Sequence, residues 1–109
     1  MLLKLPENKD GIRWTKHVQR KMRQYQLSEK RVLRVLRKPD RKEEGIAEGT
    51  LANMQTTGTK KHPTEIWLMY QVKKPKIKII SAWRYPGVSP IHEPPPIPED
   101  ILAELKNIR

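Results

Sequence analysis

His17, Arg20 and Lys21 lie within one helical turn of one another in "WTKHVQRKMRQYQ" (residues 14–26), with Arg13, Lys16 and Arg23 close by. Surrounding cations favour the neutral form of an imidazole, which can then take a proton near neutral pH, and the same cations can hold a phosphate. The alternative is a boundary histidine beside an apolar stripe, bonded to a carbonyl. A second set of candidates sits in "SAWRYPG" (81–87). Arg84 offers a fork of donors to phosphate, and Tyr85 can stack on an unpaired base or exchange a proton. The alternative there is that Arg84 and Tyr85 cover the edge of a core that Trp83 caps. His62, beside Lys60 and Lys61, and His92 in a proline-rich stretch are less well placed.

Many chemistries are excluded by residue type. The chain has no Cys, which removes disulfides, thiolate metal sites and thiol nucleophiles. Three scattered histidines without ligand-spaced carboxylates predict neither a metal site nor a bound cofactor. No glycine-rich phosphate loop, acidic pair or serine-centred motif is present. Catalysis, if the chain performs it, would be metal-independent. RNA suits that, because its 2′-hydroxyl is an internal nucleophile that needs only a base, an acid and cations around the phosphorus.

Charge points the same way. The net charge of +11 is unevenly placed: residues 13–41 carry +9 and residues 60–85 carry +6, while 42–59 and 86–109 are each −2. A concentrated basic surface attracts polyanions, whose phosphates release counterions on binding. Nucleic acid is the leading expected partner, with an acidic protein or an anionic membrane surface second. No apolar run is long enough to span a membrane, and "MLLKLPENKDG" is too short and too soon interrupted for a signal peptide. A soluble cytoplasmic protein without a membrane partner is expected.

Positioning these side chains requires a fold. In residues 13–25, Trp14, Val18, Met22 and Tyr25 recur at helical spacing in a stripe about 80° wide, with Arg13, Lys16, Arg20 and Arg23 opposite. "LSEKRVLRVLRKPD" predicts a second helix. Ser28 is its N-cap, Leu27 and Val32 form a hydrophobic staple, Arg31 and Arg34 point outward, and Pro39 is its stop. "GTLANMQTTG" alternates loosely and reads as a strand ending at Gly58, with a short strand possible near Glu44–Glu48. "EIWLMYQV" (65–72) reads as a strand covered on both faces. "KIKIISAW" (76–83) would put Ile77, Ile79, Ser81 and Trp83 on one face, paired to the preceding strand through the "KKPK" turn. "LLKLP" could add a first strand.

Six of the ten prolines lie in residues 86–98, a stiff connector. It leads to an amphipathic helix over 99–108 with Ile101, Leu102, Leu105 and Ile108 along one side. That helix is too short to stand alone and should dock, on its own domain or else on a partner or second copy. The expectation is an α+β domain at 1–85, a connector at 86–98 and a C-terminal helix at 99–109. In the domain, two helices pack on a three- to four-stranded, mainly antiparallel sheet.

"TKHVQRKMRQYQLSEKRVLRVLRKPD" resembles the opening of small bacterial proteins related to the RelE/ParE and BrnT toxins. There a helix beginning "H-A-x-x-R-M" is followed by "R-G-I-S", a second helix and an "N-P-D"-like stop. His17, Arg20, Met22, Ser28, Val32, Pro39 and Asp40 occupy those places, while "YQLS" replaces "RGIS". The later "IWLMYQV…KIKIISAWR" is similar to the paired strands that close such domains. The resemblance spans roughly residues 13–85 and implies a RelE-like fold, RNA as substrate, sometimes ribosome-bound, and an acidic antitoxin partner. It also implies a possible metal-independent endoribonuclease. In that reading His17 or Tyr85 exchanges the proton and Arg20, Lys21, Arg23 and Arg84 hold the phosphate, while Arg13, Lys16, Arg20, Lys21, Arg23, Arg31, Arg34, Lys60 and Lys61 bind the nucleic acid. The alternatives are a non-catalytic module that binds RNA, a ribosome or DNA, and a structural partner of an acidic protein.

Overall fold

In a computed structural model, which describes residues 11–105, the chain is α+β with three helices and a five-stranded mixed sheet. The elements are β1 (Ile12–Trp14), α1 (Lys16–Tyr25), α2 (Glu29–Arg37), β2 (Arg41–Glu44), β3 (Leu51–Gly58), β4 (Pro63–Lys73), β5 (Lys76–Pro86) and α3 (Glu99–Leu105). The sheet order is β1-β5-β4-β3-β2, with β1 parallel to β5 and every other pair antiparallel. Among the described residues no helix is long and apolar enough to cross a membrane. The strand expected at "LLKLP" lies outside the described residues, as does Ile108.

Three expectations need correction. The sheet has five strands rather than three or four, because Ile12–Trp14 forms a strand too short to show a period of its own. The first helix therefore starts at Lys16, not at residue 13. Thr15 is its N-cap, in extended backbone, and accepts from the Val18 N–H at 3.1 Å. The same hydroxyl donates to the Ile80 carbonyl, which pins the cap to β5. Trp14 kept the helical spacing to Val18, and this concealed the break. Second, the short strand before β3 is Arg41–Glu44 rather than 44–48. Its run "RKEE" shows no apolar alternation and forms a charged sheet edge, which discourages pairing with other chains.

The third correction concerns β5. Met69 pairs with Ser81 and Tyr70 with Ile79, so Ile80 is an extra residue and a bulge forms. Before the bulge Ile77 and Ile79 face α1 and α2; after it Ser81 and Trp83 lie on the other side of the alternation. Ile77, Ile79, Ser81 and Trp83 thus do not share one face.

Each sheet face has a core. Beneath α1 and α2 lie Trp14, Val18, Met22, Leu27, Val32, Val35, Ile66, Leu68, Tyr70 and Ile79. On the opposite face Trp67, Met69, Ile80 and Trp83 pack with Ile101 and Leu105 of α3. Alternation along β4 sends Ile66, Leu68 and Tyr70 one way and Trp67 and Met69 the other, as a doubly covered strand requires. The last helix docks on its own domain. Seven residues are unstable as an isolated helix, and burial of Ile101 and Leu105, at about 1.5–3 kcal/mol each, holds them in place.

The α1–α2 corner is tight. Gln26 takes the left-handed conformation, φ 57°, and its N–H bonds back to carbonyls of the last turn. A side chain there is strained, and glycine is the usual occupant. Gln26→Gly should raise stability by about 0.5–1 kcal/mol, seen as a higher urea midpoint with an unchanged slope.

Candidate functional site

The imidazole of His17 is 5% exposed. One ring nitrogen, Nε2, lies 2.8 Å from Ser81 Oγ, and Nδ1 lies 2.7 Å from Glu104 Oε2. Since a carboxylate only accepts, Nδ1 carries the proton and Ser81 donates to Nε2. Serine, histidine and glutamate are thus in line as in a nucleophilic triad, yet Ser81 has no exposed surface, so its hydroxyl cannot meet a substrate. The chain of bonds instead ties α1, β5 and α3 together.

Lys21, one turn on, is 6% exposed. It donates to Asp100 at 2.8 Å and forms an ion pair with Glu104 at 3.1 Å. Arg20 reaches Glu104 at 3.4 Å from a largely exposed position. The tail that the sequence marks as acidic therefore lays two carboxylates against the border of α1. His17, Arg20 and Lys21, the residues first singled out for chemistry, are engaged from within the chain. Burial lowers the His17 pKa, outweighing the bond from Glu104. Burial also opposes the Lys21 ammonium, but the bonds from Asp100 and Glu104 prevail and raise its pKa. Bonds from Lys21 hold both carboxyls low, with His17 adding to the effect at Glu104.

The pH dependence follows from these directions. The unfolded chain protonates His17 from about pH 6.5 downward, whereas the folded chain resists until lower pH, so acidification there favours unfolding. A second decline follows as pH falls below the ordinary carboxylate range, through the depressed pKa values of Asp100 and Glu104. The urea midpoint should drop as pH falls below about 6.5, and His17→Gln should abolish that first decline.

Arg84 and Tyr85 do not converge. As neighbours in β5 they point to opposite faces. Arg84 donates to the carbonyls of Tyr25 at 2.8 Å and Gln26 at 3.2 Å, closing the C-terminal end of α1. Tyr85 is half-buried against the Trp67–Trp83 cluster. Together with a buried His17, this leaves the two candidate proton carriers and Arg84 each spent on packing or capping. Arg13 is displaced too. Ile12 and Trp14 enter the core under the helices, so Arg13 of β1 faces away from them, in register with Lys78.

The remaining cations form one surface. Both helices cover the same sheet face and bury their apolar sides in one cluster. Lys16, Arg20 and Arg23 are exposed on α1, as are Lys30, Arg34 and Arg37 on α2 and Lys38 at its end, with Arg31 half-exposed. Among the described residues only Arg20 of this set meets a carboxylate. Shallow depressions run along the surface, one lined by Lys16, Gln19, Arg20 and Arg23, another by Lys30, Leu33, Arg34, Arg37 and Lys38 with Glu29. Lys60 and Lys61 are exposed in the β3–β4 loop. The second helix is tied to the sheet from below: Asn53 donates to the Val35 and Leu36 carbonyls and accepts from the Tyr70 hydroxyl, and Gln55 donates to the Lys38 carbonyl.

Nothing in the sequence marked Ser81, Asp100 and Glu104 as partners of α1, since they lie 64 to 87 residues away. The acidic start of the tail helix was the one available hint. No family model matches the chain, and neither curated proteins nor solved structures yield a match.

Proposed function

We propose that this protein is an RNA-binding module of RelE-like architecture that grips phosphates with the outer face of α1 and α2 and performs no chemistry on them. The observation that carries the reading is the exposed cation surface, on which one residue of eight has an acidic partner among the described residues. A face that served only solubility would mix signs, since opposite charges one turn apart stabilise a helix. Here Glu29 is the single acid on either helix.

Two features favour the architecture. Two helices follow a short strand and cover one face of a sheet whose later strands are antiparallel. Gln26, left-handed, stands where the resembled motif has its glycine. The dispersal of His17, Arg84 and Tyr85 favours a binder over a ribonuclease.

The test uses purified protein and a labelled RNA hairpin carrying a single-stranded tail. Binding that weakens steeply with salt, with the RNA left intact under single-turnover conditions in EDTA, is the expected result. Cleavage that His17→Gln or Tyr85→Phe abolishes would restore the catalytic reading. No binding at low salt would remove the RNA reading altogether.

A further inference from the structure

We infer that the RNA gripped by this face is base-paired, and is recognised as a duplex through its backbone; the inference rests on the RNA-binding reading above. Proteins that hold unpaired RNA stack its bases on exposed rings, at about 1–3 kcal/mol per base. This chain has six aromatic residues and no Phe. Trp14, Trp67, Tyr70 and Trp83 are buried, and Tyr25 and Tyr85 are partly buried and packed against the two cores. The stacked pair Trp67 and Trp83 lies on the face opposite the cations. His62 is the one exposed imidazole near Lys60 and Lys61, enough for a single base.

A splayed base would also need a cleft, and the depressions among the cations are each lined by a single helix, so they are surface grooves. With neither platform nor cleft among the described residues of this face, affinity must come from cations held at fixed spacing. Lys16 to Arg23 and Lys30 to Arg37 each span about 10 Å along a helix. A duplex offers more phosphate charge per length than one strand, and so releases more counterions per contact. Its form matters as well. Both helices lie flat on the sheet, and neither projects as an element entering the B-form major groove must. The wide, shallow minor groove of A-form RNA accepts a broad surface.

The experiment measures affinity of the full chain for an RNA duplex of about 16 base pairs, for one of its strands chosen to lack self-structure, and for the DNA duplex of the same sequence. The RNA duplex should bind at least about tenfold more tightly than either other ligand, with a salt slope near −0.9 per phosphate contact against about −0.7 for the strand. His62→Ala should leave duplex affinity unchanged. A single strand within about tenfold of the duplex, or a marked loss in His62→Ala, would overturn the inference while leaving RNA binding intact. A DNA duplex binding as tightly would overturn it in favour of DNA. Absence of binding to all three would instead remove the underlying reading.

Discussion

Replacing Lys16, Arg23, Arg34 and Arg37 together by glutamine should weaken RNA binding at least about a hundredfold at low salt and flatten the salt dependence by roughly three to four units of slope. All four side chains are exposed and none meets a carboxylate among the described residues. Their removal takes phosphate contacts away without opening the core. The fold should survive, with a loss of a few tenths of a kcal/mol where Arg34 and Arg37 complement the C-terminal end of α2. Unchanged slopes with a folded variant would show that the cation face is not the binding surface. The complementary change runs the other way. Asp100→Asn with Glu104→Gln strips two carboxylates from the border of α1, frees Lys21 and Arg20, and should tighten binding in the same titration.

Glu65→Ala is expected to be the most destabilising single substitution, at about 3 kcal/mol or more, lowering Tm on the order of 10–20 °C for a chain of this size. Glu65 is 1% exposed, in the central strand. Its carboxyl accepts from Trp67 Nε1 at 2.9 Å, from the Ser89 hydroxyl at 2.6 Å and from the Ser89 N–H at 3.1 Å. Removing it leaves three buried donors without that acceptor. The damage spreads, because Ser89 also accepts from Arg41 at 2.9 Å, and Arg41 donates to the Ile91 and Glu93 carbonyls. The guanidinium sits 5.2 Å from the centre of the Trp67 ring, so one side chain straps the connector to the sheet over the stacked tryptophans. Glu65→Gln keeps one acceptor and the side-chain volume and should cost less. A thermal scan in which Glu65→Ala matched the parent would refute this account of the core.

Some elements were legible from sequence because local chemistry states them. Ser28 caps α2 and accepts from the Arg31 N–H, Leu27 and Val32 are both buried, and Pro39 follows the end of the helix. The doubly covered β4 was readable because burial on two faces leaves no polar alternation. What escaped reading depends on distant contacts. A three-residue strand such as β1 exists only by pairing with β5, and the bulge at Ile80 is set by register against Met69 and Tyr70. The candidate site divided along the same line. Exposed cations on helical faces follow from spacing, but the fate of His17 and Lys21 was decided by carboxylates brought from the far end of the chain. Arg84 was recognisable as a donor, while its acceptors, two carbonyls at a helix end, carry no sequence signature.

The docking of α3 has a practical side. Shortening the chain at Pro86 would uncover the indoles of Trp67 and Trp83 together with Met69 and Ile80, an oily patch on a sheet face. Such a fragment should come out of expression insoluble or as soluble clusters, whatever the intact chain does in solution. The parallel indole pair, with ring centres 6.2 Å apart, supplies a built-in optical gauge: near-ultraviolet circular dichroism should report the moment the final helix lifts away.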